Sequence, residues 1–183
     1  MLAVFYFVRT MGHTLVTHFE DESLNTIKEF LTGVNEEFSK IPYGRKCDRY
    51  YLDKVIPYHM TIASWKKERD AEYIEKLNDI HFESFVISAT SVCTRIADEA
   101  STMLFLNIRP DEKYQQIAEQ LNNMGIPIKD FLHITLAISK NPFKIRRIRK
   151  SVVETAAFPI TLKVDGLSLF HLWDNCREVR RIQ

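Results

Sequence analysis

Two short segments of this chain are nearly the same sequence: Tyr58-His59-Met60-Thr61-Ile62-Ala63-Ser64 and Leu132-His133-Ile134-Thr135-Leu136-Ala137-Ile138-Ser139. Both read His, aliphatic or Met, Thr, aliphatic, Ala. At the chain's own residue frequencies a given histidine shows that pattern by chance on the order of once in ten thousand, and the chain has only 6 histidines. A duplicated motif of this kind constrains the fold, because it asks for two equivalent structural settings in one chain.

The periodicity around the motifs supplies those settings. In the first half, residues 2–9 are β-branched and aromatic and read as a strand, and residues 10–20 read as a loop. Leu24, Ile27, Leu31, Val34 and Phe38 then form a helical stripe over 22–39, with Asp21 at its N-cap. A loop over 40–55 leads to the first motif at 57–64. A charged helix over 67–79, buried through Ala71, Ile74 and Leu77, precedes a strand over 82–96. The second half gives the same order. A strand over 102–109 leads to a helix over 111–124 that buries Tyr114, Ile117, Ala118 and Leu121 and ends at Gly125. The second motif follows at 131–139, then a helix over 142–156 opened by Pro142 and buried through Ile145, Ile148 and Val152. A strand over 158–173 and an edge strand from Glu178 to Ile182 finish the chain. The expected fold is α+β and bilobal: a pseudo-two-fold repeat of two antiparallel-rich β-sheets with flanking helices and a central cleft. No linker separates the halves, so 1–183 reads as one domain of two lobes, approximately 1–96 and 97–183.

Composition sets limits on what such a fold can bind. The 25 Lys and Arg residues against 24 Asp and Glu leave a net charge of +1, which argues against a nucleic-acid coat or a polybasic membrane binder and leaves room for a small basic cleft. Cys47, Cys93 and Cys176 have no disulfide or Cys-x-x-Cys spacing, and no apolar run approaches the roughly 20 residues of a membrane span. These features read as a soluble, cytoplasmic protein.

On a strand, His and Thr two residues apart share a face, while Met60, Ile62, Ile134 and Leu136 share the other. If the lobes pack about a pseudo-two-fold axis, two imidazoles and two hydroxyls meet across a cleft. That set suits phosphodiester chemistry without a metal. One imidazole takes a proton from the attacking oxygen and the other returns one to the leaving oxygen. The hydroxyls donate to the charged non-bridging oxygens.

Paired His-x-Thr/Ser-hydrophobic motifs, one per lobe, resemble the signature of the 2H phosphoesterases, which include the 2′-5′ RNA ligase-like and cyclic phosphodiesterase proteins. The resemblance covers essentially the full length in element order and in both motifs. It implies His59 and His133 as the acid/base pair, Thr61 and Thr135 as phosphate contacts, and no obligatory metal or other cofactor. It also implies an RNA end or small nucleotide carrying a 2′,3′-cyclic phosphate or a 2′-5′ linkage, hydrolysed or transesterified, with ligation as the reverse reaction. Many members place Pro directly before the His; here Tyr58 and Leu132 stand there, and Pro57 lies one residue earlier.

A zinc site at the histidines needs a third ligand, and no Asp or Glu recurs beside both motifs in a matched way. A non-catalytic RNA- or nucleotide-binding module that kept the cleft would need the hydroxyls but not two imidazoles. Pro57 and Phe131 share the His/Thr face by alternation, so they either line the cleft or pack the strand ends. His171, between Phe170 and Trp173, is a candidate for stacking on a base; His13, His18 and His81 carry no motif. In the basic run from Lys140 to Lys150, helical spacing makes most charges a solvated face, leaving Lys140 as a phosphate contact beside Arg45 and Lys46 in the first-half loop. The expected protein is a monomer. The near-symmetry of the pair leaves open which histidine is the acid and which the base.

Overall fold

A computed structural model describes residues 11–29, 58–98, 101–139, 141–171 and 177–182. The elements are β1 (Met11–Phe19), α1 (21–29), β2 (Thr61–Lys66), α2 (Asp70–Lys76), β3 (Phe85–Asp98) and β4 (Ser101–Pro110). They continue with α3 (Glu112–Asn123), β5 (His133–Ser139), α4 (Pro142–Thr155), β6 (Ile160–His171) and β7 (Arg177–Ile182). The proposed strand over 2–9, the loop over 40–55 and the positions Leu31, Val34 and Phe38 lie outside the described residues.

Among the described residues the first strand is β1, in the stretch read from sequence as a loop. Its polar residues hid it from a search for apolar runs. Thr14 Oγ1 donates to the Ala63 carbonyl at 3.1 Å, and the buried Thr17 bonds the backbone of Met60. Partners far along the chain therefore satisfy hydroxyls that a local reading takes for a turn. The charged segment 67–79 also differs from its expected stripe. Three-ten turns at Lys67–Arg69 and Leu77–Asp79 flank a short α2, which buries Tyr73 while Ala71 faces solvent. Helix α1 begins at residue 21 itself, and the carbonyl of Glu20 accepts the first bond from Leu24 N–H.

Other elements follow the pattern closely. Asp111 caps α3 by accepting from Tyr114 N–H at 2.9 Å, and Tyr114, Ile117, Ala118 and Leu121 are buried. At its other end Gly125 takes φ +74°, so that Gly125 N–H meets Asn122 O and Ile126 N–H meets Leu121 O, both at 2.9 Å. Asn141 caps α4 through Phe143 N–H with Pro142 in the first turn, and Ile145, Ile148 and Val152 are buried.

The strands form one antiparallel sheet in the order β2-β1-β6-β3-β4-β5, with β7 added to β6. The architecture is α+β, and a pseudo-two-fold relation exchanges β2-β1-β6 with β5-β4-β3. The final strand of each sequence repeat thus sits in the other half, and the β3–β6 ladder from Phe85↔Val164 to Ala89↔Ile160 joins the halves. The outer edges also meet, through isolated antiparallel bridges Met60↔Ile134 and Ala63↔Ile128. One main core, including Leu15, Met60, Ile62, Leu104, Ile134, Leu136 and Leu169, fills the space under the helices. No described helix is long and apolar enough to cross a membrane.

Candidate active site

The bridge between Met60 and Ile134 places the two motifs side by side. In an antiparallel pairing of that register, His59 lies across from Thr135 and Thr61 across from His133. Met60 and Ile134 are fully buried on the core side, and the four motif side chains, all half-buried, take the opposite face. Thr17 fixes the hinge of this arrangement. Its N–H donates to Met60 O and its Oγ1 accepts from Met60 N–H, each at 2.9 Å, so the backbone between His59 and Thr61 is clamped from β1.

Around His133 the geometry is specific. Its Nδ1–H donates to the Phe131 carbonyl at 3.2 Å, which leaves Nε2 as the proton acceptor of the neutral ring. The Phe131 ring stacks on the imidazole with centroids 4.6 Å apart and planes inclined by 24°, and Phe105 meets both rings edge-on. The Arg95 guanidinium lies 5.5 Å from the Phe131 ring centroid. Burial holds the His133 imidazole below its ordinary value of 6.5, opposed by the Phe131 carbonyl, and the Arg95 and Lys129 cations lower it further. Thr135 Oγ1 lies 3.5 Å from the Met103 thioether, a weak acceptor that a charged oxygen would outcompete.

A cavity of about 470 Å³ opens beside this face, lined by Thr14, Thr61, Ser64, Lys129, Asp130, Phe131 and His133. Ser64 Oγ in its wall is buried with no hydrogen-bond partner among the described residues. His59 and Thr135 are not among the described lining residues, so the cavity lies to the Thr61–His133 side of the pseudo-two-fold axis.

Of the other sequence candidates, Phe131 lines the cavity and packs on His133. His171 lies instead at the end of β6, opposite His13 on β1, and is not among the described lining residues. Arg45, Lys46, Lys140 and Pro57 lie outside the described residues. On α4, Arg146, Arg147, Arg149 and Lys150 form an exposed face; Arg149 bonds Val92 O, and Lys150 pairs with Glu154. Sequence reasoning missed Thr14, Ser64, Lys129, Asp130, Arg95 and Phe105. Lys129 and Asp130 immediately precede Phe131, and Ser64 ends the first motif, so adjacency to the motifs was the available signal. Arg95 and Phe105 reach the site only through the β3-β4-β5 pairing.

No protein-family model matches the chain, and no curated protein matches it in sequence. Solved structures do. Kluyveromyces marxianus Usb1 aligns with a TM-score of 0.55 at 10% identity, over 91% of this chain and 96% of that one. E. coli LigT complexed with NADP+ aligns with a TM-score of 0.53 at 13% identity, over 95% and 97% of the two chains. The complex of E. coli LigT with 3′-AMP gives 0.51 at 12% identity, over 94% and 96%. Usb1 and LigT are both 2H phosphoesterases, and the fold of this chain is theirs.

Proposed function

We propose that this protein is a metal-independent phosphodiesterase acting on an RNA end or a small nucleotide with a 2′,3′-cyclic phosphate or 2′-5′ linkage. The observation that supports the reading is the Met60–Ile134 bridge, because strand alternation about an antiparallel register there would turn His59, Thr61, His133 and Thr135 to one face. A cavity of about 470 Å³ accommodates roughly one nucleotide. The neighbouring structures of Usb1 with uridine monophosphate and of LigT with 3′-AMP or ATP fit that class of ligand.

The two histidines take different roles. His133, whose burial disfavours the charged form and whose Nε2 is the acceptor, is the general base, which leaves His59 as the general acid. In opening a cyclic phosphate, His133 Nε2 takes a proton from water as the water oxygen bonds to phosphorus. The bond from phosphorus to one ribose oxygen breaks, and His59 gives that oxygen its proton. Cleavage of a 2′-5′ linkage replaces water by the neighbouring 3′-hydroxyl. Thr61 and Thr135 donate to the non-bridging oxygens, and Ser64 Oγ supplies a further donor from the cavity wall.

The test is a panel of 2′,3′-cyclic nucleotides, 2′-5′ oligonucleotides and cyclic-phosphate-ended RNA, assayed with chelator present. Turnover of at least one substrate at an unchanged rate is expected. Binding of the panel with no turnover would replace the enzyme by a nucleotide-binding module, and loss on chelation with recovery on added zinc would replace the mechanism by a metal-dependent one.

The charge environment gives a second expectation. The base must be unprotonated, so kcat/KM falls as pH drops through the His133 pKa, and the lowered value puts that limb below pH 6.5. Lys129→Gln and Arg95→Gln each remove a cation that disfavours the imidazolium. Each raises the His133 pKa and moves the limb toward higher pH, whatever it does to KM. A limb that stays in place or moves to lower pH in both variants contradicts the assignment of His133 as the base.

A further inference from the structure

We infer that His13, Asp70 and His171 form a second site, away from the cleft, that binds a divalent transition-metal ion of the zinc type. His13 and His171 are direct partners in the β1–β6 ladder, and their ring centroids lie 4.6 Å apart. Asp70, the first residue of α2, approaches from the helix layer, and His13 Nδ1 meets its Oδ1 at 2.8 Å. One ligand atom from each of the three residues lies within 4.8 Å of the other two.

The surroundings hold the carboxylate in place. Trp65 Nε1–H donates to Asp70 Oδ1 at 3.0 Å, which orients the group, and Oδ2 has no hydrogen-bond partner among the described residues. Gly12 clears the space it occupies, because a Cβ there would stand 2.4 Å from Asp70 Oδ1. Trp65 and Tyr73 make an aromatic wall beside His13, which is itself buried. Thr14, the neighbour of His13 on β1, lines the cleft cavity, so strand alternation turns His13 to the other face. The ion therefore takes no part in the proposed reaction.

Two imidazoles and one carboxylate are three of the four donors that zinc and its neighbours in the first transition series take, with a water to complete the set. Magnesium and calcium prefer all-oxygen cages. In tetrahedral zinc the ligand atoms lie about 3.3 Å apart, so small side-chain rotations close the cluster. A His13–Asp70 pair alone would satisfy both groups; the third donor is what an ion requires. Bound there, zinc ties β1, β6 and the start of α2 together.

The test is titration of the chelator-stripped full chain with Zn²⁺, read by calorimetry and by thermal denaturation. One ion per chain and a raised Tm are expected. His171→Ala and Asp70→Asn each abolish stoichiometric binding, while Trp65→Phe, which keeps all three ligands, weakens it on the order of tenfold. His133→Ala binds zinc as wild type does. Circular dichroism checks that the variants fold, and His171→Ala, at a strand end, carries the test if Asp70→Asn does not. Absence of stoichiometric binding to the wild type, its survival in His171→Ala, or its loss in His133→Ala each overturns the inference. None of these readouts depends on turnover, so the zinc site and the proposed phosphodiesterase stand or fall separately.

Discussion

Replacing either His59 or His133 by alanine is expected to lower kcat by about a hundredfold to ten-thousandfold, the usual contribution of one positioned proton donor or acceptor. That loss corresponds to about 3 to 5 kcal/mol of transition-state stabilisation. The double variant loses little more than the worse single one, because an acid and a base that work in one proton-transfer sequence act as a unit. Both side chains are half-buried on the open face, so far-UV circular dichroism of the variants should match wild type. The residual activities separate the roles. With His133 as base and His59 as acid in the proposed mechanism, His133→Ala flattens the low-pH limb of the rate profile and His59→Ala flattens the high-pH limb. Wild-type turnover in either single variant sinks the mechanism. An exchange of the two limbs keeps the pair but reverses acid and base.

The parts of this fold legible in the sequence are those whose causes are local. Helix α3 carries its own start in Asp111, its buried stripe at Tyr114, Ile117, Ala118 and Leu121, and its stop in Gly125, all within one stretch. Strand β1 carries no such record. His13, Thr14 and Thr17 belong in a buried strand only because Asp70, Ala63 and Met60 wait to bond them, and those residues lie at least 43 positions away in sequence. Segment 67–79 keeps Ile74 and Leu77 against the core but departs at Ala71: three-ten turns at both ends change the residues per turn, so Tyr73 replaces Ala71. The site divides in the same way. The repeat exposes His59, Thr61, His133 and Thr135, since duplication writes the same local pattern twice. The environment that distinguishes the two histidines, with Phe131 against His133 and Arg95 over Phe131, depends on strand pairing that no local pattern records.

That asymmetry shapes the expected behaviour of the hydroxyls. Thr61→Val and Thr135→Val keep the β-branched shape while removing the donor, and loss of one donor to a developing phosphate charge lowers kcat on the order of a hundredfold. Thr→Ser at either position retains the donor and should restore most of the rate. The effect belongs in kcat more than in KM, because the hydrogen bond strengthens as charge builds on the oxygen. The two positions are not equivalent. Thr61 lines the cavity across from His133, while Thr135 lies outside the described lining and rests its hydroxyl on the Met103 sulfur. If the reacting phosphate sits over the Thr61–His133 side, Thr61→Val loses more than Thr135→Val, and wild-type rates in both valine variants would remove the hydroxyls from the reaction. Equal losses at the two positions would instead centre the phosphate on the pseudo-two-fold axis, with the cavity holding the base or the ribose beside it.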